Sequence, residues 1–239
     1  MTHILETRQL NKRFGGLHVT GNVDFALDAG EMHCLIGPNG AGKSTFFRLI
    51  LGEHLPDSGQ ILFQDQDITR AKPFQRIRQG ISVKFQVPGI FKELSVRQNL
   101  VIALQHHVDP RLLAEEIDRL LEFLNLSHAQ AQLAGNLSHG QKQWLEIGMA
   151  IGLKPRLLLL DEPTAGMTPD ETHATGEMLK QLNAEGMTLL AVEHDMAFVR
   201  QIAQRVTVLH LGKVFAQGSI DQITADPRVA KIYLGEVDA

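Results

Sequence analysis

The sequence predicts an α/β fold: a mainly parallel sheet core with an inserted α-helical stretch. Three observations carry this reading. The nine residues Gly37, Pro38, Asn39, Gly40, Ala41, Gly42, Lys43, Ser44 and Thr45 make a glycine-rich loop. It lies between a strand-like apolar run, Met32–Ile36, and a helix-like run, Phe46–Leu51. Strand-like and helix-like segments then alternate from Leu157 to Leu211, whereas residues 87–152 read as mainly helical.

In chain order, the extended segments Ile4–Leu10, His18–Leu27 and Glu31–Ile36 come first, succeeded by the loop and its helix. The turn Pro56-Asp57-Ser58-Gly59 introduces a strand at Gly59–Phe63, and Ile81–Phe85 is a short apolar strand ending at Gln86. Leu112, Leu113, Ile117, Leu120, Leu121 and Leu124 recur at helical spacing, with Glu115, Asp118, Arg119 and Glu122 mostly on the other side. Gln143–Ile151 reads as a further helix. Beyond it, Leu157–Leu160 is a strand, Asp170–Leu182 a helix, Thr188–Val192 a strand, Met196–Gln204 a helix and Arg205–Leu211 a strand. A Gly212-Lys213 turn leads to Val214–Gln217 as a hairpin partner.

The bulk numbers narrow the function classes. A chain of 239 residues holds one sizeable core with a nested subdomain, not two independent catalytic domains. Its 44% apolar and 21% charged content is that of a globular protein. A net charge of −4 without a long basic run argues against nucleic acid as the main partner. The single cysteine, Cys34, excludes an intramolecular disulfide, fits a reducing compartment and reads as a small core hydrophobe. The first eight residues lack the apolar stretch of a secretory signal, and no run approaches the ~20 apolar residues a bilayer span needs. The chain therefore reads as soluble by itself, yet able to dock on a membrane partner.

The loop carries the first chemistry. Its glycines let the backbone curl so that several N–H groups aim at phosphate oxygens, and the next helix adds the positive end of its dipole. Lys43 can reach the outer phosphates, and the Ser44 hydroxyl is placed to ligate Mg2+. The run Leu157–Leu160 ends in Asp161-Glu162-Pro163. A buried parallel strand can bring Asp161 to the loop end of the sheet, to hold the metal through Ser44 or water, and Glu162 beside the outer phosphate to polarise an attacking water. The same two carboxylates can also cap the turn after the strand. Leu137-Ser138-His139-Gly140-Gln141 is a helix-start capping box, Ser138 pairing with Gln141; with Gly140 beside it, that turn exposes N–H groups and a hydroxyl that can bind phosphate.

Taken together and in order, these motifs resemble ATP-binding cassette (ABC) ATPases, P-loop NTPases of the ABC type. The loop, Gln86 after a strand, Leu-Ser-His-Gly-Gln, Leu-Leu-Leu-Leu-Asp-Glu-Pro, Ala165-Gly166-Met167-Thr168 and Val192-Glu193-His194-Asp195 carry the resemblance across essentially the whole chain. It implies a single ATP-binding domain with an N-terminal antiparallel β subdomain and an inserted α-helical subdomain, 1–86 and 153–239 being the nucleotide-binding core and 87–152 the inserted helical signature subdomain. ATP and Mg2+ are the implied ligands. Phe14 resembles the aromatic that stacks on adenine, Gln86 the residue touching Mg2+ or the attacking water, and His194 the histidine that senses the outer phosphate. As plain structure, Phe14 reads as a strand-edge hydrophobe, His194 as a surface histidine and Trp144 as an amphipathic-helix residue.

The resemblance further implies a second ATP-binding subunit, identical or paralogous, packed head to tail so that each ATP lies between one subunit's loop and the other's Ser138, Gly140 and Gln141. Membrane permease subunits and, indirectly, a solute-binding receptor are implied partners, with no nucleic acid; the location is the cytoplasmic face of the inner or plasma membrane, peripherally bound. Residues 137–149, 84–91 and the ending Asp226–Val229 to Tyr233-Leu234-Gly235 resemble urea-type members of the branched-chain amino acid importer group. Urea uptake is the implied role, with branched-chain amino acid uptake the alternative and a non-transport ABC ATPase a weaker one. Two departures stand out: His139 replaces the usual first glycine of the signature, and Phe14 replaces the commoner Tyr.

Overall fold

The computed structural model of the chain describes residues 3–234; Met1, Thr2 and the expected Gly235 lie outside them. Two sheets organise it. The antiparallel sheet has the order β2-β1-β4-β5, from β1 (His3–Phe14), β2 (Leu17–Asp28), β4 (Ser58–Phe63) and β5 (Gln66–Asp67). The second sheet has the order β10-β9-β3-β8-β7-β6. Its strands are β3 (Met32–Ile36), β6 (Ile81–Lys84), β7 (Leu157–Asp161), β8 (Thr188–Val192), β9 (Arg205–His210) and β10 (Lys213–Gly218). All its pairings are parallel except the hairpin of β9 with β10.

Alternation along the buried strands divides the core into two layers. Leu157 and Leu159 of β7, Leu190 and Val192 of β8, and Leu35 of β3 point to one side. There they meet Phe46, Phe47 and Ile50 of α1 (Lys43–Leu51) and the antiparallel sheet through Leu5, Leu27 and Phe63. Leu158, Leu160, Leu189, Ala191 and Cys34 face the other side. That layer is built with α3 (Val96–Leu104), α4 (Leu113–Phe123), α5 (His139–Ile151), α6 (Pro169–Ala184) and α7 (Met196–Ile202). Cys34 is fully buried, and burial pushes its thiol pKa up, which makes it an inert core side chain.

The remaining helices are α2 (Pro73–Arg78), α8 (Ile220–Ala225) and α9 (Pro227–Leu234). Among the described residues no helix is long and apolar enough to cross a membrane.

Helix starts obey the capping chemistry legible in the sequence. Ser138 Oγ accepts from the Gln141 N–H at 3.2 Å, and Gln141 Oε1 accepts from the Ser138 N–H at 3.0 Å. Thr168 and Glu171 do the same at α6, with Pro169 at the first helical position.

One local expectation is corrected. The β9–β10 turn is Leu211-Gly212, not Gly212-Lys213, because Lys213 already pairs with His210. Both turn residues have positive φ, +49° and +75°, as a tight two-residue hairpin requires; Leu in the first place hides that signal. The sequence reading assigns no element to α2, which gives no amphipathic pattern over its six residues. Its work is done by Arg76. This side chain, 1% exposed, donates to Leu49 O and Ile50 O at the end of α1, at 2.7 and 2.6 Å, and to Ala71 O and Thr69 O at 3.0 and 3.1 Å. It thereby gives Ile50 O a donor at the helix end and adds a second one to Leu49 O, which already accepts the Gly52 N–H, and its burial pushes its pKa down to about 10.

Candidate active site

Strands β3, β8, β7 and β6 are adjacent and parallel, so their C-terminal ends share one edge of the sheet. Ligands of open α/β sheets bind along such an edge. Here it carries the glycine-rich loop after β3, Glu193-His194 after β8, Glu162 after β7 and Gln86 after β6.

Gly37 opens the loop at φ +149°, with the space for a Cβ already taken by Leu209 O at 2.2 Å. Gly42 precedes α1 at φ +99°, and a Cβ there would meet Val19 O at 2.5 Å. The β9–β10 turn braces the loop through Gly212 N–H donating to Ala41 O at 3.0 Å. Lys43 folds back, its Nζ donating to Gly37 O at 2.6 Å and Pro38 O at 3.0 Å. Burial lowers its pKa, and the nearby Glu162 and Asp161 oppose that shift. A cavity of about 350 Å3 lies over this arrangement, lined by residues 39–45 together with Val19, Glu162 and Gly212.

Glu162 is the hub of the edge. Gln86 Nε2 donates to its Oε2 at 2.9 Å, and His194 Nδ1 stands 3.7 Å from its Oε1. Its backbone is left-handed, φ +44°, with the N–H donating to Val192 O at 3.0 Å. Such a conformation costs a non-glycine residue about 1–2 kcal/mol. Beside it, burial and then the Glu162 charge raise the pKa of Asp161. His194, with its side chain 62% exposed, is free to meet a group arriving from solvent.

Glu193 has no assigned chemistry in the sequence and proves structural. Buried at 1% exposure, it accepts from Thr164 Oγ1 at 2.9 Å and from the His194 N–H at 3.1 Å. It thus ties the segment after β7 to the histidine, at the expense of a carboxyl pKa raised by burial.

The remaining candidates lie elsewhere. Phe14 does not line the loop cavity; it packs edge-on against His54, centroids 5.2 Å apart, with Lys12 Nζ 5.4 Å from its ring centre. Ser138, Gly140 and Gln141 are also outside that cavity, at the start of α5. Ser138 Oγ donates to Glu171 Oε1 at 3.2 Å, and the same carboxylate occupies the space beside Gly140. Trp144 Nε1 donates to Thr175 Oγ1 at 2.8 Å, which fixes it as a packing residue between α5 and α6.

His139 packs on Gly166 and bonds the Ala165 carbonyl at 2.8 Å, so Nε2 carries the proton. The Thr168 backbone holds the Glu171 carboxyl pKa down, helped by the Thr168 and Ser138 side chains.

A strand–loop–helix phosphate cradle with a carboxylate held beside it defines a phosphate-loop nucleotide hydrolase. The comparisons narrow the class: the ABC transporter family model matches residues 20–165, and the chain belongs to that family of ATPases. It is 36% identical to a probable branched-chain amino acid transport ATP-binding protein, LivG, of Archaeoglobus fulgidus, over 99% of this chain and 97% of the relative. Identity is also 36% to the high-affinity branched-chain amino acid transport ATP-binding protein LivG of Escherichia coli, over 98% of both. It is 33% to the lipopolysaccharide export system ATP-binding protein LptB of Acidithiobacillus ferridurans, over 99% and 98%. The solved ADP conformation of MJ1267, an ATP-binding cassette of an ABC transporter, superimposes with a TM-score of 0.89 at 33% identity, covering 98% of this chain and all of that one.

Proposed function

We propose that the chain is the ATP-hydrolysing subunit of an ABC importer, with the work divided among the edge residues. The loop amides and Lys43 bind the phosphates, Lys43 exchanging its bonds to Gly37 and Pro38 for the outer phosphate oxygens. Glu162 orients and polarises the water that attacks the terminal phosphorus, releasing ADP and phosphate. Gln86 and His194 flank it, His194 registering the outer phosphate, and Phe14 offers the adenine a stacking face. Ser44, Asp161 and Gln86 supply the few hard oxygen donors that suit Mg2+, which when bound neutralises phosphate charge. The observation that carries this reading is the Glu162 carboxylate held between Gln86 and His194 beside the phosphate loop.

The absence of Ser138, Gly140 and Gln141 from the loop cavity of their own chain supports a two-subunit site, in which a second cassette brings them to the phosphates. Residues 87–152 then act as the signature arm, and 1–86 with 153–239 as the nucleotide core. Permease subunits would dock near Gln86–Leu100, with the cassettes on the cytoplasmic face.

For the solute, the relatives named for branched-chain amino acid transport support that cargo over urea. The urea reading rests on residues 84–91, 137–149 and the ending Asp226–Val229 to Tyr233-Leu234-Gly235 alone. A similarly close relative is named for lipopolysaccharide export, in keeping with a cassette that does not itself touch the cargo. Co-purification with permease partners, then uptake of leucine and of urea, tests the assignment. Leucine-only uptake supports it, urea-only uptake restores the urea reading, and the lack of any permease partner removes both.

A further inference from the structure

A buried cation lies directly beneath the Glu162 turn. Lys84, the last residue of β6, is 0% exposed, and its Nζ donates to Glu162 O at 3.3 Å and Asp161 O at 3.4 Å. Its hydrogen bonds thus go to two successive backbone carbonyls, not to a carboxylate. Four carboxylates face it from three elements: Glu146 on α5, Asp161 and Glu162 at the end of β7, and Glu193 at the end of β8. Placing an ammonium out of water is costly, and a methionine would fill the same slot in the apolar end of this strand.

Glu146 offsets that charge from the helical side. Its Oε1 accepts the Gly89 N–H at 3.0 Å, while its buried Oε2 has no hydrogen-bond partner. Through Gly89, Glu146 joins the segment after β6 to α5.

We propose that Lys84 is a positioning residue for water activation: by clamping the carbonyls of Asp161 and Glu162 it fixes the left-handed turn that aims the Glu162 carboxylate between Gln86 and His194. Val192 O holds that turn from the β8 side through the Glu162 N–H, and Lys84 holds it from the β6 side. The role rests on Glu162 being the water-activating group.

The test compares Lys84→Met, Lys84→Met/Glu146→Gln and Glu162→Gln in the full chain, reading kcat, KM for ATP and thermal midpoint. Lys84→Met is expected to lower kcat by about 10- to 100-fold, the scale of a small misplacement of a catalytic group, with KM little changed. The double variant keeps the net buried charge of the wild type and is expected to regain thermal stability without regaining kcat. Wild-type kcat in Lys84→Met, or recovered kcat in the double variant, would assign Lys84 to charge balance alone and overturn the proposal. Where Lys84→Met does not fold, the double variant gives the same decision. Undiminished turnover in Glu162→Gln would instead remove the underlying reading, a result distinct from failure at Lys84.

Discussion

Glu162→Gln is expected to slow ATP turnover by about 10²–10⁴ while sparing ATP binding, because the substitution removes the charge proposed to polarise water and little else. A glutamine is the same size and still offers an oxygen to Gln86 Nε2, now 2.9 Å from the carboxylate. The left-handed backbone and its bond to Val192 O are also retained. ATP should therefore still enter, and if two cassettes close around it the unhydrolysed nucleotide should keep them together. Single-turnover hydrolysis together with size-exclusion chromatography in ATP reads both effects. Unslowed turnover with no ATP-dependent pair would rule out both the water-activating role and the shared site.

Gly37→Ala is expected to weaken ATP binding by at least about 30-fold, and for a reason visible without nucleotide. A methyl at this position would sit 2.2 Å from Leu209 O, on a backbone at φ +149° that alanine does not adopt comfortably. Strain of about 1–3 kcal/mol and a comparable overpacking term fall on a strand end wedged against β9. Relief requires the loop to lift from Leu209, which also disturbs the carbonyl that Lys43 Nζ binds at 2.6 Å. Titration with a fluorescent ATP analogue measures the loss, and a melting curve reports whether the whole chain softens as well. A variant binding ATP like the wild type would mean that the loop tolerates displacement.

The sheet edge is largely legible in the sequence because each of its groups comes directly after a short apolar run. Met32–Ile36, Ile81–Lys84, Leu157–Leu160 and Thr188–Val192 are buried parallel strands, and a residue just beyond such a strand stands at its C-terminal end. The Ser138 and Thr168 caps are legible for a similar reason, since side-chain capping is a local event of four residues.

Less visible are residues whose role depends on a distant partner. Arg76 reads as one charge in a polar stretch until the end of α1 is placed against it. Lys84 and Glu146 each interrupt an apolar pattern, a signal of charge in the interior, but their proximity is set by the packing of α5 against β6. The Ser138–Glu171 contact spans 33 residues and requires the starts of α5 and α6 to adjoin. The left-handed turn at Glu162 has no sequence signature, because glutamate is not a residue that favours it.

That turn also sets durability against work. Glycine would sit at φ +44° without strain, so Glu162→Gly should release about 1–2 kcal/mol locally, offset in part by the freedom glycine gains in the unfolded chain. The same exchange deletes the acid. At this corner the less strained residue carries no carboxylate, so local ease and an acid beside the phosphate loop exclude each other.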